Sequence, residues 1–155
     1  MIFLEPYARP LLLLHLVAAV VAAGSGVHLL LRLWPGVRGR GCRARSLVTH
    51  GRITAAAYTS CVALGALVYP TFQVRVRHDY FDQQLPWATG LFEIKEHMAA
   101  LGLAAALAAF WLSRAWRQGR DPACARPGAC AAFTSVALAA LAFNIVAGWY
   151  LTLLR

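Results

Sequence analysis

Apolar residues in this chain gather into four long runs, and runs of that kind permit very few folds. Pro10 to Leu31 spans 22 residues with no ionisable side chain except His15 and His28. A second run covers Ile53 to Pro70. A third covers Met98 to Leu112 and is extended upstream by the polar cluster Glu93–His97. The fourth, Ala129 to Leu154, carries no charge at all. About 20 apolar residues in a helix cross a ~30 Å hydrocarbon core. A helix satisfies its own backbone hydrogen bonds, which lipid cannot do. The composition agrees: 14% of residues are charged, where a soluble domain carries about 25%. The first run does not read as a cleaved signal. Glu5 stands where a basic n-region would be, no A-x-A site follows, and Arg32 and a basic loop stop the run. The expectation is an all-α, integral membrane four-helix bundle, one domain over residues 1–155.

Charge asymmetry orients it. Arg32, Arg38, Arg40, Arg43, Arg45 and Arg52 flank the first connection, and Arg114, Arg117, Arg120 and Arg126 flank the third, with Asp121 the only acid among them. On the other side Arg9, Arg75, Arg77, Lys95 and Arg155 are balanced by Glu5, Asp79, Asp82, Glu93 and Glu96, so the net charge of +9 lies on one side. Lys and Arg near helix ends are retained in the cytoplasm. The pattern therefore predicts an N-out/C-out protein of a bacterial inner membrane, its arginine-rich loops cytoplasmic and near anionic headgroups, not a nucleic-acid binder. Tyr7, Tyr69, Trp87, Trp149 and Tyr150 fall at the expected outer helix ends and Trp34, Trp111 and Trp116 at the inner ones, the level that amphipathic rings prefer. Cys42, Cys124 and Cys130 lie near the cytoplasmic face and Cys61 within helix two, so no structural disulfide is expected.

The helices are expected at about 10–33, 47–69, 89–116 and 129–154. Helix two should stop at Pro70, which cannot donate to the ladder. Thr71–Ala88 is the only sizeable outer connection, and the alternation of Phe72, Val74 and Val76 reads as a short strand or an interfacial stretch. Arg117–Gly128 forms the second inner loop.

Ionisable residues within membrane helices are expensive, and their default reading is functional. His15 and His97 are expected at similar depth near the outer face, on helices one and three. His28 and His50 match near the inner face, on helices one and two. His78 reads as a solvated loop residue. Two imidazoles meeting at one depth suit the axial positions of a haem iron. The pairs His15–His97 and His28–His50 would thus hold one haem near each face. Gly24 and Gly26 would leave room for a flat macrocycle. Arg52 inside, and Arg75, Arg77 or Lys95 outside, would pair with its carboxylates. Asn144, Thr54, Thr59 and Ser135 are candidates for supporting hydrogen bonds.

Through His15, His28, His50 and His97, over residues 10–112, the arrangement resembles membrane diheme b-type cytochromes. These are helix bundles with histidine pairs at both faces. The 13 residues between His15 and His28 turn those side chains about 220° apart, whereas such cytochromes commonly place both histidines of a helix on one face. The spacing therefore asks each histidine to meet a different neighbour. The resemblance implies an electron-transfer subunit, not a stand-alone enzyme. It would carry electrons through two haem b groups between the quinone pool and another membrane or periplasmic redox subunit. Glu93 and Glu96, in the stretch Phe92–His97, are the candidates for proton exchange with quinol; their bland reading is an acidic first helical turn. The competing reading of the whole chain is a haem-free accessory subunit packed against a larger membrane complex, which the many alanines of helices three and four also suit.

Overall fold

The computed structural model describes residues 2–40, 44–114 and 126–154. Four helices carry it: α1 (Ala8–Val37), α2 (Ala44–Phe72), α3 (Pro86–Arg114) and α4 (Pro127–Leu153). All four are long and apolar enough to cross a membrane. At 1.5 Å per residue each is about 40–45 Å long, so both ends overhang a ~30 Å core. Trp116, Cys42, Cys124, Arg155 and most of the expected inner loop Arg117–Gly128 lie outside the described residues.

The helices run up, down, up, down. α1 packs on α2 and α4, and α3 on α2 and α4, so α1 and α3 face each other only across the diagonal. The N-terminal turn Glu5–Tyr7, the C-terminal end of α4 and the α2–α3 connection share one end, which we term the terminal face. Arg38, Arg45, Arg114 and Arg126, which flank the other two connections, mark the opposite end.

Small residues line the middle of the bundle. Ala19 and Ala22 of α1, Tyr58 and Cys61 of α2, Ala105 and Ala106 of α3, and Ala137 and Leu141 of α4 form one buried cluster. Lipid is as apolar as leucine, so helices here are held by close van der Waals contact rather than by expulsion of water, and small side chains permit that contact. Gly102 shows it best: a Cβ there would stand 2.7 Å from Tyr58 Cζ and 2.9 Å from Ala140 Cβ. Many large apolar residues point outward instead. Leu13 is 65% exposed and Trp111 69%. That inverted distribution suits a lipid solvent.

The α2–α3 connection departs from expectation. α2 does not stop at Pro70 but continues through it to Phe72, then winds more widely, with i→i+5 hydrogen bonding, over Gln73–Phe81, and closes in one turn at Asp82–Gln84. No strand occurs among the described residues. The reason is tertiary. Val76 and Phe81 are buried against Ala88, Phe92 and Leu151, and Phe72 stacks on Phe92 at 4.0 Å. The alternation that suggests a strand thus comes from a helical segment docked on the end of the bundle. Ion pairs hold its polar side: Arg75 to Glu5 at 2.9 Å, and Arg77 to Glu93 at 2.8 Å and to Asp82 at 3.8 Å. Tyr80 donates to the Leu154 carbonyl at 3.2 Å.

Replacing Gly102 by alanine should destabilise the bundle by about 1–3 kcal/mol, since neither Tyr58 nor α4 can retreat without opening the core. Gly90, with nothing within 4 Å of where its Cβ would stand, should accept alanine without loss. Thermal unfolding of both variants in detergent checks the contrast.

Candidate functional site

The described structure brings His28 and His50 together. Their ring centroids lie 5.7 Å apart and their planes are parallel to within 8°. A metal ion bound at ~2 Å by one nitrogen of each ring would set the ring centres on the order of 6 Å apart. Each ring is oriented by its own helix. The Nδ1–H groups donate to the carbonyl four residues earlier, His28 to Gly24 at 2.8 Å and His50 to Ser46 at 2.8 Å. A carbonyl can only accept, so Nδ1 carries a proton; in the neutral ring the lone pair is then on Nε2, the form in which imidazole binds a metal.

The pair lies on the flank of the bundle, in the groove between α1 and α2. His28 is exposed and His50 half-buried. Position around the helix explains this: His28 is nine residues, or half a turn of the helical wheel, from buried Ala19. Beside His50 an open recess of about 340 Å³ is lined by Arg32, Arg45, Ser46, Thr49 and His50. Thr54 Oγ1, 2.8 Å from the His50 carbonyl and 3.0 Å from Ser25 Oγ, ties the two helices together beside the site.

Gly24 and Gly26 separate in role. Nothing lies within 4 Å of a Cβ placed on Gly24, so the groove is open there. A Cβ on Gly26 would meet Leu138 Cδ2 at 2.9 Å and Thr54 Cγ2 at 3.5 Å, so Gly26 serves the approach of α1 to its neighbours and leaves no room for a ligand. Arg52 is exposed and does not line the recess; two residues past His50, it points about 200° away around α2. Arg32 and Arg45 stand there in its place. Helical spacing would have found Arg32 and Ser46, four residues after His28 and four before His50.

His15 and His97 do not meet. His15 turns inward onto α2, donating through Nδ1 to the Cys61 carbonyl at 2.8 Å, with Cys61 Sγ 3.6 Å away. A Cβ on Gly65 would touch its Cε1 at 3.3 Å. His97 is exposed on α3, its Nδ1 bonded to the Glu93 carbonyl at 2.7 Å. It stands nine residues from both Ala88 and Ala106, which are buried, and so points directly away from the bundle. Equal depth is not enough where the helices are diagonal and one side chain faces outward.

The other polar residues are accounted for locally. Glu93 accepts from Arg77, Lys95 turns inward with its Nζ 5.0 Å from the Phe92 ring centre, and Glu96 is exposed. Asn144 and Thr59 bond to carbonyls of their own helices at 2.8 Å, Ala140 and Ala55 respectively, and Ser135 is exposed. Among the described residues no three or more His, Cys, Asp or Glu side chains converge as a metal site, so the coordinating chemistry available in the groove is that of two imidazoles. No protein-family model, no curated protein and no solved structure significantly matches this chain.

Proposed function

We propose that this chain is a membrane-embedded b-type cytochrome subunit that holds one haem between His28 and His50. It would pass electrons between the quinone pool and a partner redox protein. The observation that carries the reading is the parallel imidazole pair, each ring set by a helix carbonyl so that a lone pair remains for iron. A bound haem supplies reversible one-electron transfer. The chain supplies the rest. α1 and α2 hold the rings at fixed separation, open Gly24 leaves a flat face beside His28, and Arg32 and Arg45 offer cations to carboxylates at the mouth of the recess. The groove opens on the lipid-facing flank, where a quinone can approach sideways. Glu93, at the opposite face, is too distant to serve as its proton acceptor there. The His15–His97 pair contributes no second haem in this reading, because its members face different surroundings.

The arginine-rich end is placed in the cytoplasm by the retention of basic residues, with both termini outside. In a bacterial inner membrane the groove then sits at the cytoplasmic leaflet.

Purified protein should show a reduced-minus-oxidised b-type α-band with one haem per chain. His28→Ala and His50→Ala should each abolish it, while His15→Ala and His97→Ala keep it. A spectrum with no band would leave the haem-free accessory subunit as the better account. Arg45→Gln should retain the band but lower the reduction potential in a redox titration, since removing a nearby cation favours the oxidised, more positive iron. Topology has its own check. A cysteine introduced at Gln84 should react with a membrane-impermeant maleimide from outside intact spheroplasts, while one introduced at Arg38 should not.

A further inference from the structure

Within its apolar stretch, the end of α3 near the terminal face turns ionisable groups outward, as the same end of α1 does not. Glu93, in its ion pair with Arg77, and Arg114 bracket the apolar part of α3. They are 21 residues apart, about 32 Å along the axis against a ~30 Å core. Glu96 and His97 fall three and four residues inside that bracket, and both are exposed. Glu96 makes no hydrogen bond or salt bridge among the described residues; the charge that acts on it is that of adjacent Lys95, which turns inward onto Phe92. His97 spends Nδ1 on its own helix and leaves Nε2 directed outward. On α1 the residues facing lipid at comparable depth are Leu12, Leu13, Leu16, Val17 and Val20. A carboxyl group and an imidazole turned toward hydrocarbon are costly, and such groups are normally covered and paired.

We infer that α3 is the interface of a parallel homodimer. Glu96 of one copy pairs with His97 of the other, and the reverse, across a twofold axis normal to the membrane. That axis keeps every residue at its own depth, so only groups at nearly equal depth can pair across it. Adjacent Glu96 and His97 meet that condition, and together they are complementary to themselves. The pair holds whichever atom keeps the shared proton: Nε2–H donating to a carboxylate, or a carboxylic acid donating to Nε2. Toward the arginine-rich end the same face carries Ala100, Ala104 and Ala108. Ala100 and Ala104 are exposed and Ala108 half-buried, and their spacing of four lets two helix backbones approach. Exposed Trp111 ends the stripe. An unlike partner helix would need a separate cation and a separate acceptor at this depth, whereas a second copy brings both.

The test uses the full chain in liposomes at low protein density, with Cys42 and Cys124 changed to serine. Ala104→Cys should form a disulfide-linked dimer on mild oxidation, and Leu16→Cys, on the lipid face of α1, should not. Labelled protein should bleach in two steps. Without changing the helix content read by circular dichroism, Glu96→Gln with His97→Ala should lower the association constant by about tenfold or more. The exchanged pair Glu96→His with His97→Glu should restore it. Single-step bleaching, equal cross-linking from α1, cross-linking only to a different protein, or failure of the exchanged pair to restore association would each overturn the inference.

Discussion

Helices in lipid gain nothing by hiding apolar surface from one another, so this bundle depends on how closely its backbones can approach. The contacts that set this distance are few and specific. Gly102 receives the Tyr58 ring, Gly26 receives Leu138, and a Cβ on Gly51 would stand 2.7 Å from Ser113 Oγ and 3.2 Å from its Cβ. Each fixes the rotation of a helix as well as its separation. With Gly51 buried against α3, its neighbour His50 is turned toward the flank shared with α1. The geometry of the groove thus follows from a glycine that never touches it.

The same rotations distribute the histidines. His15 lies on the buried stripe of α1, four residues before Ala19, and meets the Cys61 carbonyl of α2. His28 is half a turn from that stripe and meets His50 outside the bundle. His97 has the whole width of α3 between it and the core. Three environments arise from one residue type: a satisfied interior imidazole, a facing pair in an open groove, and an outward group inside the apolar stretch. Only the second sets two imidazoles side by side, 5.7 Å between ring centres.

The terminal face is closed by a different means. The wide helical turns of Gln73–Phe81 present Val76 and Phe81 to the bundle and Arg75 and Arg77 to Glu5, Glu93 and Asp82. Such exposed ion pairs contribute little individually. The docking of the segment rests on the burial of Val76 and Phe81 beneath them, with Phe81 edge-on to Phe72, the last residue of α2.

By itself the sequence determined the four apolar spans, the concentration of positive charge at one end, and how far along its helix each histidine stands. Those properties follow from run length and from a fixed rise per residue, which are one-dimensional. The placement of His28 beside His50 was legible because adjacent antiparallel helices must pass each other at matching depth. What only the tertiary structure decided was direction around each helix: that His97 faces away from the core, that Arg32 and Arg45 rather than Arg52 line the recess, and that Gly26 is spent on packing. It also decided that the chain passes through Pro70 as helix, because Val76 and Phe81 find a buried surface there. Azimuth and docking depend on which small residues a neighbouring helix presents, and no single helix contains that information.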